Sequence, residues 1–122
     1  MILAQVIRRF EVKLGNELIG FSELEGGDAS MGVAFGRLLP TPAYTSIQPD
    51  CIKHRDSGYQ IPSLTVEVVG GVPIECSGGV KIIDFSPELG EAGIQIHLLG
   101  VTNPPYDELF PHHVEADKKR FG

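Results

Sequence analysis

Apolar and polar residues alternate along most of this chain, and glycine and proline interrupt the alternation at short intervals. Ile2, Ala4, Val6, Phe10, Val12 and Leu14 share one parity, broken only by Arg8, while Gln5, Arg9, Glu11 and Lys13 take the other. A period of two predicts a half-buried strand, or two with a bulge near Arg8-Arg9. Gly15-Asn16 predicts a two-residue hairpin turn. That turn sets Val12 against Ile19 and Phe10 against Phe21, two apolar pairs on one face. The returning strand extends to about Leu24.

The glycine-rich stretch from Gly26 to Pro42 comes next. It reads as a loop and a buried strand, Met31 to Phe35, that fix how a helix lies on the sheet. Gly32 and Gly36 mark positive φ or close backbone approach. Thr41-Pro42 predicts a helix start, a capping hydroxyl followed by proline in the first turn. Ala43, Tyr44, Ile47, Cys51 and Ile52 follow at helical spacing. Pro49 divides this helix, which ends near Arg55, and Gly58 marks the exit.

Leu64 to Phe85 predicts a three-stranded meander. A loop of Val69 to Gly71 sets Val68 against Val72, Val66 against Ile74 and Leu64 against Cys76. A second turn at Gly78-Gly79 sets Ile74 against Ile83 and Val72 against Phe85. Ser86 to Gly90 forms a helical turn, and Ile94, Ile96 and Leu98 a strand with Gln95 and His97 on its other face. Asn103-Pro104-Pro105 ends that strand, Tyr106 to Phe110 makes a helical turn, and the polar stretch from His112 to Arg120 packs loosely. The expected architecture is one domain, 1–122, with 102–122 as a loosely packed tail. Its class is α+β and mostly antiparallel, a sheet or β-sandwich of short strands with one broken helix packed on it.

Composition narrows the partners. The chain has 122 residues, 42% hydrophobic and 21% charged, enough for a globular core. A formal charge of −6 argues against nucleic acid and anionic membranes and suits a basic protein. The apolar start is short, broken by Gln5, and followed rather than led by positive charge, so it does not read as a signal peptide. A cytoplasmic protein with reduced, buried Cys51 and Cys76 is expected.

Candidate chemistry is sparse. Gly36-Arg37-Leu38 lacks the hydroxyl of a phosphate loop. His54, His97, His112 and His113 have no metal-ligand spacing, and the adjacent pair is expected to diverge, so neither metal nor cofactor is expected. Glu23, Glu25 and Asp28 form an acidic cluster, and Tyr106, Leu109 and Phe110 are expected as exposed apolar anchors. These features favour a small acidic binding module acting by protein–protein interaction. An inhibitor or immunity-type neutraliser of a basic toxin fits, as does an assembly subunit or a homo-oligomer. The alternative is a small enzyme or ligand-binding domain with a pocket near the Gly-rich loop 26–37, using Glu23, Asp28, His97 or His54. A deep polar pocket would favour that alternative; a flat apolar patch with an acidic rim favours the module.

Overall fold

The fold is known from a computed structural model, in which residues 9–54, 63–68 and 72–121 are described. The expected strand residues 2–8, the loop 69–71 and the helix exit at 55–58 lie outside them. The strands are β1 Phe10–Leu14, β2 Glu17–Ser22, β3 Gly26–Asp28, β4 Val33–Arg37, β5 Leu39–Pro40, β6 Leu64–Val68, β7 Val72–Pro73, β8 Glu75–Asp84 and β9 Ile94–Asn103. They form two antiparallel sheets, ordered β5-β2-β1-β6-β7 and β3-β4-β9-β8. The class is α+β, with a few short helices.

The two sheets are joined at both sides. Leu38 alone separates β4 from β5, and Ile74 alone separates β7 from β8. The Leu38 N–H donates to the Ile94 carbonyl at 2.9 Å and the Ile74 N–H to the Val66 carbonyl at 2.8 Å. Each run is therefore one bent strand shared between sheets. The hydrogen-bonded neighbours then close a ring: β1, β2, β5/β4, β9, β8/β7, β6 and back to β1. Phe10, Val12, Ile19 and Val66 from one sheet and Ala34, Ile82, Ile96 and Leu98 from the other share a single core.

The first hairpin turns at Gly15-Asn16 as expected, with Leu14 opposite Glu17. Beyond it the expected register fails. Lys13 pairs with Leu18, but Val12 pairs with Gly20 and Phe10 with Ser22, leaving Ile19 as a bulge. The bulge shifts parity. Ile19, Ser22 and Leu24 are buried, and Phe21 lies under the Arg9 guanidinium at 5.0 Å. Glycine at position 20 permits this, because a Cβ there would stand 2.7 Å from Leu38 Cδ1 and 2.9 Å from the Leu39 carbonyl.

The meander holds only in its first half. Val68 faces Val72 as expected, but β8 then runs through Gly78-Gly79 and pairs with β9, setting Cys76 against Val101 and Ile83 against Gln95. Gly78-Gly79 is an irregularity within a strand rather than a turn. A Cβ on Gly78 would lie 2.9 Å from Leu99 Cβ, so glycine here serves close strand approach.

Nor is Met31 to Phe35 a buried strand. Ala29–Met31 is a 3₁₀ turn closed by Gly32 at φ 67, and β4 follows it. The broken helix is present as a 3₁₀ segment, Pro42–Ser46, and α1, Gln48–Lys53. Thr41 does not cap it; its hydroxyl donates to the Leu18 carbonyl at 2.8 Å, and Pro49 opens α1. After α2, Ser86–Leu89, and β9, the chain ends in α3, Tyr106–Leu109, and α4, Pro111–Phe121. The expected loose tail is corrected for its first part. Leu109, Phe110 and His113 are buried, and α4 packs on β3 and the 29–31 turn. The aromatic rings supply the reason, with Phe110 5.6 Å from Phe10 and 5.0 Å from Tyr106.

Gly36 tests the packing between the two halves of the ring. A Cβ there would stand 2.9 Å from both Leu24 Cα and Ser22 Oγ and would strike Glu25 Oε1. Gly36→Ala is expected to lower the unfolding free energy by about 1–3 kcal/mol, read as an earlier urea midpoint.

Candidate functional site

Among the described residues two places gather polar or exposed side chains. The first lies at the end of β8. Asp84 is 0% exposed. Its Oδ2 accepts from the Tyr44 hydroxyl at 2.6 Å and from Gln48 Nε2 at 3.2 Å, and its Oδ1 accepts from the Ser86 N–H at 2.7 Å. The last bond follows from local sequence, since an aspartate two residues ahead of an N–H closes an Asx-type turn before α2. Burial opposes ionisation of Asp84, but the bonds from Ser86, Tyr44 and Gln48 outweigh it and hold the carboxyl below its ordinary value.

The neighbouring groups are held protonated. Burial, then the bond to Asp84, pushes Tyr44 far above the usual phenol range. Burial pushes the Cys51 thiol up to about 11, opposed by Tyr44 and reinforced by Asp84 and Asp50. A cleft of about 290 Å³ lies alongside, lined in part by Thr41, Thr45, Gln48, Ser86 and Glu91. Its hydroxyls are engaged: Thr41 with the Leu18 carbonyl and Thr45 with the Pro42 carbonyl, both at 2.8 Å. The Gln48 amide also reaches Ser86 Oγ at 3.2 Å. The ionised Asp84 is buried, and both of its oxygens are already bonded within the network. It ties the 42–53 segment to the end of β8. The cleft reaches Pro40, Thr41 and Pro42, where the Gly-rich stretch ends, and is not lined by residues 26–37.

The second place is the β3–β4 hairpin with the segment before it. Glu23 and Glu25 are exposed and Asp28 is half-buried. Glu25 Oε2 accepts from the Arg37 N–H at 2.8 Å, and Asp28 Oδ1 accepts from the Ser30 hydroxyl at 2.7 Å. Between these acids Phe35 pairs with Gly26, and its ring occupies the space a Cβ on Gly26 would need. It stacks on His97 of β9 with centroids 5.4 Å apart. Lys81 lies beyond His97 in the same cross-strand row, and exposed Arg37 lies two residues along β4. Burial, then Lys81, lowers the His97 pKa. Phe35 is 36% exposed and Met31, at the hairpin tip, 68%.

The expected anchors are not at the surface. Leu109 is 3% and Phe110 1% exposed, and half-buried Tyr106 donates its hydroxyl to the Val33 carbonyl at 2.7 Å. They pack inward because Phe110 meets Phe10 of β1. Phe35 and Met31 were missed as surface groups because Met31 to Phe35 reads as one apolar run. Parity could have separated them: small Ala34 and Gly36 share one side of β4, while Phe35 shares the other with Arg37. His112 and His113 do not diverge either, since their ring centroids are 4.0 Å apart. Among the described residues no three His, Cys, Asp or Glu side chains converge as metal ligands.

Asp84 gives a pH-dependent expectation. Its native pKa lies below the ordinary 3.8, so its contribution is full above 3.8 and is lost as pH falls through the native value. Asp84→Asn should cost about 1–3 kcal/mol at pH 7. In urea titrations that deficit should shrink on acidification below 3.8. The thiols give another. Cys51 is buried and Cys76 half-buried, and burial pushes each up to about 11. Ellman's reagent at pH 8 should label both slowly in the native protein, Cys51 the more slowly, and both fast in denaturant.

No family model, no curated protein and no solved structure matches this chain, so its function has to be read from its own residues.

Proposed function

We propose that this protein is a cytoplasmic, non-catalytic binding module that docks on a basic surface of another protein through its β3–β4 hairpin. The observation that carries the reading is the exposed Phe35, set on Gly26, stacked on His97 and carried by a hairpin that has Glu23, Glu25 and Asp28 along its first strand and the segment before it. An aromatic ring held rigid at the surface is a low-entropy anchor for a partner. The acids on the hairpin, with a chain charge of −6, favour a basic contact. Arg37 and Lys81 bound the far side of the same face, which directs a partner's cations to the hairpin. No helix among the described residues is long and apolar enough to cross a membrane. The ligand-binding reading is weaker because Thr41, Thr45, Gln48 and Ser86 around the cleft already have partners within the protein.

The test compares proteins captured from the source cells by the wild type and by two variants. Phe35→Ser should lose the specific partner, at a cost of about 2 kcal/mol carried mainly by faster dissociation. The triple change Glu23→Gln, Glu25→Gln and Asp28→Asn keeps the acceptor oxygens and removes the charge. It should slow association up to about tenfold at low salt and less at high salt. The reading fails if no captured protein depends on Phe35 and a small molecule instead raises the melting temperature.

A further inference from the structure

The C-terminal helices grip the β3–β4 hairpin at two points. The Tyr106 hydroxyl donates to the Val33 carbonyl at 2.7 Å, where β4 begins. His113 Nε2 lies 2.9 Å from the Leu24 carbonyl, two residues ahead of β3. A carbonyl only accepts, so Nε2 carries the proton and the neutral ring is the Nε2–H tautomer. The inner face of the hairpin is glycine for this reason: a Cβ on Gly27 would strike Tyr106 Oη and lie 2.7 Å from His113 Cδ2.

Leu24 is itself in an uncommon conformation, with φ 46. Its N–H donates to Ser22 Oγ at 3.0 Å and its carbonyl is held by His113. A backbone state of this kind persists only where neighbouring bonds over-determine it. His113 supplies one of the two, and it is enclosed, with ring centroids 5.2 Å from Phe110, 4.0 Å from His112 and 6.2 Å from Tyr106. Three titratable groups face it: Glu25 from the segment between β2 and β3, His112 from its own helix, and Tyr106 from α3.

We infer that α3 and α4 form an acid-released clamp on the β3–β4 hairpin, with His113 as the group that senses pH. A charged imidazole in this enclosure loses solvation and stands beside His112. Burial holds the His113 pKa below the ordinary 6.5; His112 adds to this, while the Leu24 carbonyl and Glu25 oppose it. The sign follows: the clamp is at full strength above 6.5 and weakens as pH falls through the lowered native value. Release frees Leu24 to leave its strained conformation and removes the support beneath Gly27 and Val33. The inference stands on the hairpin's packing and does not require that the hairpin bind a partner.

Hydrogen exchange of residues 23–37 at pH 7.5 and 5.5, corrected for intrinsic rates, tests it. His97, which stacks on Phe35 from the other side, is replaced by Gln throughout so that its own titration is removed. With His113 present, hairpin protection should fall at the lower pH, as linkage requires of a group that charges more readily when released. In His113→Gln, which keeps a donor for the Leu24 carbonyl without a titration, protection should be equal at the two pH values. An equal fall in both proteins, or none in either, overturns the clamp. Should His113→Gln not fold, an NMR titration of the His113 ring decides: a native pKa below 6.5 supports the inference and one at or above 6.5 overturns it.

Discussion

Closing six strands into a ring forces two of them to bend from one sheet into the other, and most of the irregular positions in this fold follow from that requirement. A strand that serves two sheets must keep its hydrogen bonds while changing direction. Leu38 and Ile74 do so with buried side chains and with N–H groups bonded to Ile94 and Val66. The Ile19 bulge answers the same demand on the neighbouring strand, because it tightens the curl and lets Gly20 approach β5. Gly78 and Gly36 fill two further places where the chain comes too close for a side chain.

A ring of short strands leaves segments that belong to no ladder, and here buried polar groups hold them. Asp84 binds the 42–53 segment through Tyr44 and Gln48. His113 and Ser22 bind the backbone around Leu24. Among the described residues no buried side-chain nitrogen or oxygen lacks a partner. Such pairing stabilises and specifies a fold. The bonds from Ser86, Tyr44 and Gln48 explain how Asp84 stays ionised in the interior.

The outer hairpin obeys the opposite rule. Its inward positions are glycine and alanine, which admit the C-terminal helices, and its outward positions carry Phe35 and Arg37. Small residues on one side and large ones on the other bring the hairpin close to its support and leave its contact groups exposed. Structure and the proposed docking role meet in this one element.

The sequence alone determined the parities of β1, β6 and β9, the turn at Gly15-Asn16, the interruption within 42–53 and the antiparallel α+β class, because each depends on residues near one another in the chain. It could not say which strand lies beside which. Cys76 and Ile83 alternate equally well against β6 or β9, and only the bend at Ile74 assigns them to β9. Nor could it say which apolar groups face out. Phe110 meets Phe10 one hundred residues earlier in the chain, and that contact buries it, while Phe35 is exposed because the core side of β4 is already filled through Ala34 and Gly36. Period and turn chemistry are local properties; partner and burial are set by what the rest of the chain places opposite, and that is decided only when the ring closes.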